Sequence, residues 1–168
     1  MIKFINETRK KILRKKILNE VRKRNPQKIL DDGCGKKGSF DYGEFKNRIT
    51  AADITMGIDS ENLPYEDNSF DLVIFAGVIQ YTNNPDKAMR ECYRVLRKGG
   101  VLIITTINTN SFVKKIVGFR DEKRSYTFKE FEDYISKFSF KVLDKASIDF
   151  PLVPKRYRMI LYYRCLKI

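Results

Sequence analysis

Four aspartates, a short glycine-rich run and one tyrosine carry the most specific chemical signal in this chain. Asp31-Asp32-Gly33-Cys34-Gly35 follows a short apolar segment, and Asp53 stands twenty positions beyond Gly33. Asp59-Ser60-Glu61-Asn62-Leu63-Pro64 precedes a long apolar segment, and Ala76-Gly77 through Tyr81 closes it. Acids and glycines just beyond strands suit a ligand crevice, because open parallel sheets bind ligands outside the carboxyl ends of their strands. Gly33 to Gly38 fits the GxGxxG spacing of a dinucleotide loop, with Asp53 where a ribose-binding acid would stand. Two carboxylates directly before that loop repel a pyrophosphate, however, and suit a cationic ligand that carries an amino group. A nicotinamide-dependent oxidoreductase also leaves the segment from Asp59 to Ile104 unexplained.

Composition limits the remaining chemistry. The 168 residues include no His, which excludes Ser-His and Cys-His catalysis and His-based zinc sites. Cys34, Cys92 and Cys165 are far apart and form no CxxC pair, which fits a reducing compartment and gives no reason to expect a metal. Cys34 has no base near it in sequence and reads as a small packing residue rather than a nucleophile. No apolar run is long enough to span a bilayer, and the basic start lacks the apolar stretch of a signal peptide. A cytoplasmic location is expected.

The elements that must position these residues alternate in type. Residues 1–24 read as a basic amphipathic helix with Ile5, Ile12, Leu13, Ile17, Leu18 and Val21 near helical period, ended by Asn25-Pro26. KILDD, RITAAD, DLVIFAGVI and VLIITTI read as strands, and their continuous apolar character points to a sheet buried on both faces. Asn84-Pro85-Asp86 opens a helix whose Ala88, Cys92, Val95 and Leu96 face the core, and Gly99-Gly100 is expected to stop it. Thr127 to Glu130 has the form of a capping box, opening a helix that carries Phe128, Phe131, Ile135 and Phe138. FKVLDKASI and RMILYYRCLKI read as two final strands. The expected fold class is α/β, a Rossmann-like doubly wound, mostly parallel sheet with helices on both faces, the last strand antiparallel.

ILDDGCG, then LPYEDNSFDLVIFAGVIQY, then NNPDKAMRECYRVLRKGGVLIITT resembles a class I S-adenosylmethionine-dependent methyltransferase. The likeness runs from about Lys28 to Asn108, in the broad quinone and small-molecule group and its members with a shortened link between the second and third strands. It implies a cofactor, S-adenosylmethionine, and roles for individual positions. Asp31, Gly33, Cys34 and Gly35 would line its methionine end, and Asp53 would accept from both ribose hydroxyls. Ile54 would pack on the adenine, Asp59 would accept from the adenine amino group, and the Ser60 N–H would meet a ring nitrogen. Ala76 and Gly77 would lie near the sulfonium, with Tyr81 facing the transferred methyl as a weak catalytic candidate; Tyr126 and Asp86 are weaker still. Three departures stand out: Lys37 where a third glycine is common, Asp32 where an apolar residue is usual, and only five residues between Asp53 and Asp59.

On this reading residues 1–168 form one domain: a basic helix over 1–27, a cofactor-binding core over 28–108 and an acceptor-side part over 109–168. Net charge is +9 in residues 1–28, −3 in 29–108 and +7 in 109–168. The basic flanks favour an anionic acceptor among small molecules, lipids and quinones, and leave RNA and an anionic membrane surface open as partners. A non-catalytic S-adenosylmethionine-binding partner subunit is the alternative function, with the nicotinamide enzyme behind it.

Overall fold

The computed structural model describes residues 2–35, 41–111, 122–149 and 153–168. Helix α1 (Ile2–Arg24) ends on three basic residues, which complement the helix dipole, and Asn25 leaves it in a left-handed conformation (φ 48°) before Pro26. Strands β1 (Ile29–Asp32), β2 (Ile49–Ala52) and β3 (Phe70–Ala76) follow, then helix α2 (Pro85–Val95) and strand β4 (Leu96–Ile107). Helix α3 (Phe128–Ser136) and strands β5 (Phe140–Ile148) and β6 (Ile160–Lys167) complete the order. The strands form one sheet in the order β2-β1-β3-β4-β6-β5. The first four are parallel, while β6 runs antiparallel to both β4 and β5, as expected for the last strand.

Period-two alternation sorts the strand residues between two cores. Leu30, Val73, Phe75, Leu102, Ile104 and Tyr163 face α2 and α3, where Ala88, Met89, Cys92, Val95, Phe131 and Ile135 cover them. Ile29, Leu72, Ile74, Val101, Ile103 and Tyr162 face the other way and are covered by Leu13, Ile17 and Val21 of α1. The stripe of α1 is therefore spent on the sheet, with Ile12 and Leu18 packed at its margin; the Ile5 side chain lies outside the described residues. Among the described residues no helix is long and apolar enough to cross a membrane.

Two connections shape the crevice. Between β1 and β2 the described chain forms a 3-10 turn, Gly43–Arg48, whose Phe45 is buried with Tyr42 against the α1 face. Between β2 and β3 there is a single 3-10 turn, Ile54–Met56, followed by irregular chain. The shortened link forms no helix, and β2 is the edge of the sheet. Side chains of α2 hold this irregular crossover: Glu91 accepts from Leu63 N–H, and Arg94 donates to the Leu63 and Tyr65 carbonyls.

One expected boundary is corrected. Gly99-Gly100 does not stop α2, which ends at Val95, and Leu96 turns out of the helix to pair with Phe70. The register then jumps to Leu72 with Val101, so Arg97–Gly100 form an outward bulge in which Gly99 takes φ 75°. Burying Leu96 completely beside β3 ends the helix earlier, and the glycine serves the bulge instead.

Candidate active site

The chain leaves β1 for β2 on one side and returns to β3 on the other, so a crevice opens where the strand order reverses. The last two residues of β1 lie at its base and point to opposite faces. Asp31 is buried on the α1 face near Tyr42, and burial pushes it up to about 6. Asp32 is buried on the α2 face and accepts from Ser60 Oγ at 2.7 Å. Burial, helped by repulsion from Asp31, Asp53 and Asp59, pushes Asp32 up to about 7.

Gly33 turns the chain out of β1 with φ 83°, and its N–H donates to the Ala52 carbonyl at 2.7 Å. A Cβ on Gly33 would stand 2.0 Å from Val78 Cγ2. The space that glycine leaves at this position is filled by the chain's own Val78, from the loop after β3. Cys34 is buried, its thiol set against the Gly35 carbonyl, and burial pushes the thiol up, which suits packing and not nucleophilic attack. Lys36, Lys37 and Gly38, the rest of the glycine-rich run, lie outside the described residues.

Asp53 stands at the end of β2 and ties two loops together. Its Oδ2 accepts from Gly35 N–H at 2.8 Å, while Oδ1 accepts from Thr55 N–H at 2.9 Å and Thr55 Oγ1 at 2.6 Å. These bonds hold its carboxyl below the usual range. A carboxylate offers about four acceptor positions, so the three bonds leave about one. Accepting two further hydroxyls would require Thr55 Oγ1 to turn away. Asp59 is exposed and accepts from Glu61 N–H at 2.9 Å. Ile54, beside Asp53, is 69% exposed and turns apolar surface to the crevice.

The far wall is the segment 77–83 after β3. Its shape depends on a guanidinium from a distant part of the chain: Arg124 donates to the Ile79 carbonyl at 2.8 Å and the Thr82 carbonyl at 2.7 Å. Glu61 joins this wall to the near one, accepting from the backbone N–H groups of Asn83 (2.6 Å) and Asn84 (2.9 Å). The Asn84 side chain in turn caps α2 by accepting from Lys87 N–H.

The walls enclose a cavity of about 180 Å³ lined by Gly33, Asp53, Ile54, Asp59, Ser60, Glu61, Val78, Tyr81, Thr82 and Asn83. Six of the positions singled out from sequence meet here: Gly33, Asp53, Ile54, Asp59, Ser60 and Tyr81. Asp31, Cys34, Gly35, Ala76 and Gly77 stand around it but are not among these lining residues. Asp31 and Cys34 are buried, Ala76 packs on the α1 core, and Gly77 offers its carbonyl to Gln80 at 2.9 Å. Sequence reasoning missed Glu61, Val78 and Arg124. Glu61 sits inside a noted motif, but its partners lie over twenty residues away, and Arg124 carried only a local signal of basic charge. Tyr126, at the carboxyl end of β4, packs on Phe131, and burial pushes its phenol up, so it is a poor source of phenolate near neutral pH.

Comparison with known proteins agrees with this geometry. Residues 44–104 match the methyltransferase domain family. A ubiquinone/menaquinone biosynthesis C-methyltransferase of Stenotrophomonas maltophilia is 34% identical over 85 residues, 43% of this chain and 34% of that protein. Ribosomal RNA-processing protein 8 of Caenorhabditis briggsae is 32% identical over 137 residues, 74% of this chain and 40% of that protein. The structure of Burkholderia thailandensis 1,6-didemethyltoxoflavin-N1-methyltransferase, with S-adenosylhomocysteine bound, superposes with a TM-score of 0.64 at 17% identity, covering 84% of this chain and 71% of that one. The fold and the matched core make this chain a member of the class I S-adenosylmethionine-dependent methyltransferases. Within that class it is related to the quinone and small-molecule enzymes. It spans between a third and about half of the curated relatives it matches first.

Proposed function

We propose that the chain transfers a methyl group from S-adenosylmethionine to a small anionic acceptor. The observation that carries this reading is the juxtaposition of Asp53, the exposed Ile54 and Asp59 on one crevice wall, with no cationic side chain among the described lining residues. These residues fit the donor: a carboxylate with remaining acceptor capacity for a ribose, an uncovered apolar side chain for an adenine face, and acids suited to a ligand of net positive charge. The cavity is small for a nucleoside with a methionine tail, so Val78 or the 59–61 loop must shift on binding.

The bound donor supplies a methyl group activated by a sulfonium; the acceptor's electron pair forms the new bond as the carbon–sulfur bond breaks and sulfur keeps its pair. The protein's task is then alignment and exclusion of water. Tyr81, 40% exposed on the cavity wall, would cover the reacting atoms on this reading. The anionic acceptor is supported by a second cavity of about 580 Å³ at the outer edge of the sheet. Its floor includes Ile12, Phe128 and Ile148, and Lys16, Lys145, Lys155, Arg156 and Arg158 line it without a carboxylate among the described lining residues. An RNA acceptor is the second reading, favoured by the basic flanks and by the likeness to a ribosomal RNA-processing protein.

Calorimetry with S-adenosylmethionine and S-adenosylhomocysteine tests the donor site. Both should bind, and Asp53→Ala should weaken both about 10- to 100-fold, as expected for losing hydrogen bonds to a charged acceptor. Formation of S-adenosylhomocysteine is then followed with carboxylate- and phosphate-bearing small molecules, their neutral analogues, and RNA. Turnover only with RNA moves the acceptor to the second reading. Binding without turnover on any acceptor identifies a partner subunit, and stabilisation by a nicotinamide dinucleotide alone overturns the proposal.

A further inference from the structure

Asp32 is the one residue of the crevice base whose chemistry the methyl-transfer reading leaves unused. It ends β1, is 1% exposed, and stands where an apolar side chain is usual. Its Oδ1 accepts from Ser60 Oγ at 2.7 Å, while Oδ2 has no hydrogen-bond partner among the described residues. Among the described residues the charged groups that act on it are Asp31 on its own strand, Asp53 from the end of β2 and Asp59 from the loop above, all acids. The other titratable groups around it are Cys34 after β1, Tyr65 from the crossover and Cys92 from α2, all neutral and each pushed up by burial and further by Asp32. An ionised Asp32 would thus be a buried charge with one neutral donor among three like charges, which is a costly state.

We propose that Asp32 is a positioning residue: its neutral form lets the 59–61 loop latch over the end of β1, and its ionisation, a charge that calls for water, opens that loop and weakens nucleoside binding. The consequence for the ligand rests on the donor site proposed above; the latch itself does not. Ser60 lies between Asp59 and Glu61, and Glu61 holds the far wall through Asn83 and Asn84. The loop that covers Asp32 is therefore joined to both walls. A value raised to about 7 places the change near neutral pH. The sign follows from the raised value: the stabilisation from retaining the proton is fully present below about pH 4, the unfolded value, and is lost as pH rises through about 7.

Hydrogen exchange of the ligand-free protein at pH 6 and pH 8.5, corrected for intrinsic rates, tests the latch. Protection of the Glu61 and Asn62 amides should fall about tenfold in the wild type, since a group titrating near 7 is mostly protonated at the first pH and mostly ionised at the second. Asp32→Asn stays neutral and still accepts from Ser60 Oγ, so it should keep its protection at both values, and its melting temperature should gain on the wild type as pH rises. Ser60→Ala should lack the protection at both. In parallel, calorimetry with S-adenosylhomocysteine, which lacks the sulfonium charge, should show the wild type binding about tenfold more weakly at pH 8.5 and Asp32→Asn binding equally at both. Identical exchange profiles for wild type and Asp32→Asn would overturn the latch. The expected exchange pattern without any S-adenosylhomocysteine binding would leave the latch standing and sink the donor site instead.

Discussion

Buried carboxylates are treated in opposite ways in two regions of this molecule. Against α1 itself two are met by cations: Asp149 by Arg9 at 2.7 Å and by the Met159 N–H at 3.0 Å, Glu20 by both Arg24 and Arg164. Those guanidiniums hold Glu20 below the usual carboxylate range against the cost of burial. At the crevice no cation meets Asp31 or Asp32 among the described residues, Asp32 accepts from a serine, and burial pushes both up. The difference separates a buttress from a site. Charge around α1 is matched and fastens a helix to the sheet. Charge at the crevice meets no cation among the described residues, in reach of acceptor capacity and uncovered apolar surface that a ligand could use.

The largest effect should come from breaking the matched side. Arg9→Ala takes the guanidinium from the buried Asp149, and removing one partner of a buried pair costs about 3–5 kcal/mol. Urea unfolding should show that loss, while the folded fraction binds S-adenosylhomocysteine as before. A change in affinity as large as the change in stability would mean that α1 belongs to the site and the contrast is false.

An intermediate effect should come from the crevice turn, where stability and binding meet. Gly33→Ala places a Cβ 2.0 Å from Val78 Cγ2 at a positive φ, so overpacking and backbone strain should together cost about 2–3 kcal/mol. Adding Val78→Ala relieves the clash but not the φ, so the double variant should recover part of the stability. Recovery in full would mean that packing alone keeps a glycine there.

The same contrast explains what the sequence discloses. Strands β1, β3, β4, β5 and β6 were legible because apolar runs bounded by turns carry their signal locally, and the acids at strand ends were legible through topology. The capping box of α3 appears as expected, Thr127 Oγ1 accepting from Glu130 N–H and the Glu130 carboxylate accepting from Thr127 N–H. Period-two alternation places Asp31 and Asp32 on opposite faces but does not say what each meets. Ser60 lies 28 positions from Asp32, and Asp149 lies 140 from Arg9. Such partners follow from how the elements pack, not from local pattern. The end of α2 was misplaced for a related reason: Leu96 fits a helical stripe, yet strand pairing with Phe70 claims it first.

The smallest effect on stability should fall where the contrast is sharpest. Ile54 is 69% exposed, so Ile54→Ser removes almost no buried area, and unfolding free energy should stay within about 0.5 kcal/mol of the wild type. If an adenine face covers Ile54 in the complex, its apolar area is buried only then, at roughly 25 cal/mol per Å². Affinity for S-adenosylhomocysteine should fall about five- to tenfold, or roughly 1–1.4 kcal/mol. Arg9→Ala and Ile54→Ser then form a crossed pair, one moving stability without affinity and the other affinity without stability. An Ile54→Ser protein that binds as tightly as the wild type would place the nucleoside elsewhere. The exposed isoleucine would then be ordinary surface, and the unmatched acids beside it would need another ligand.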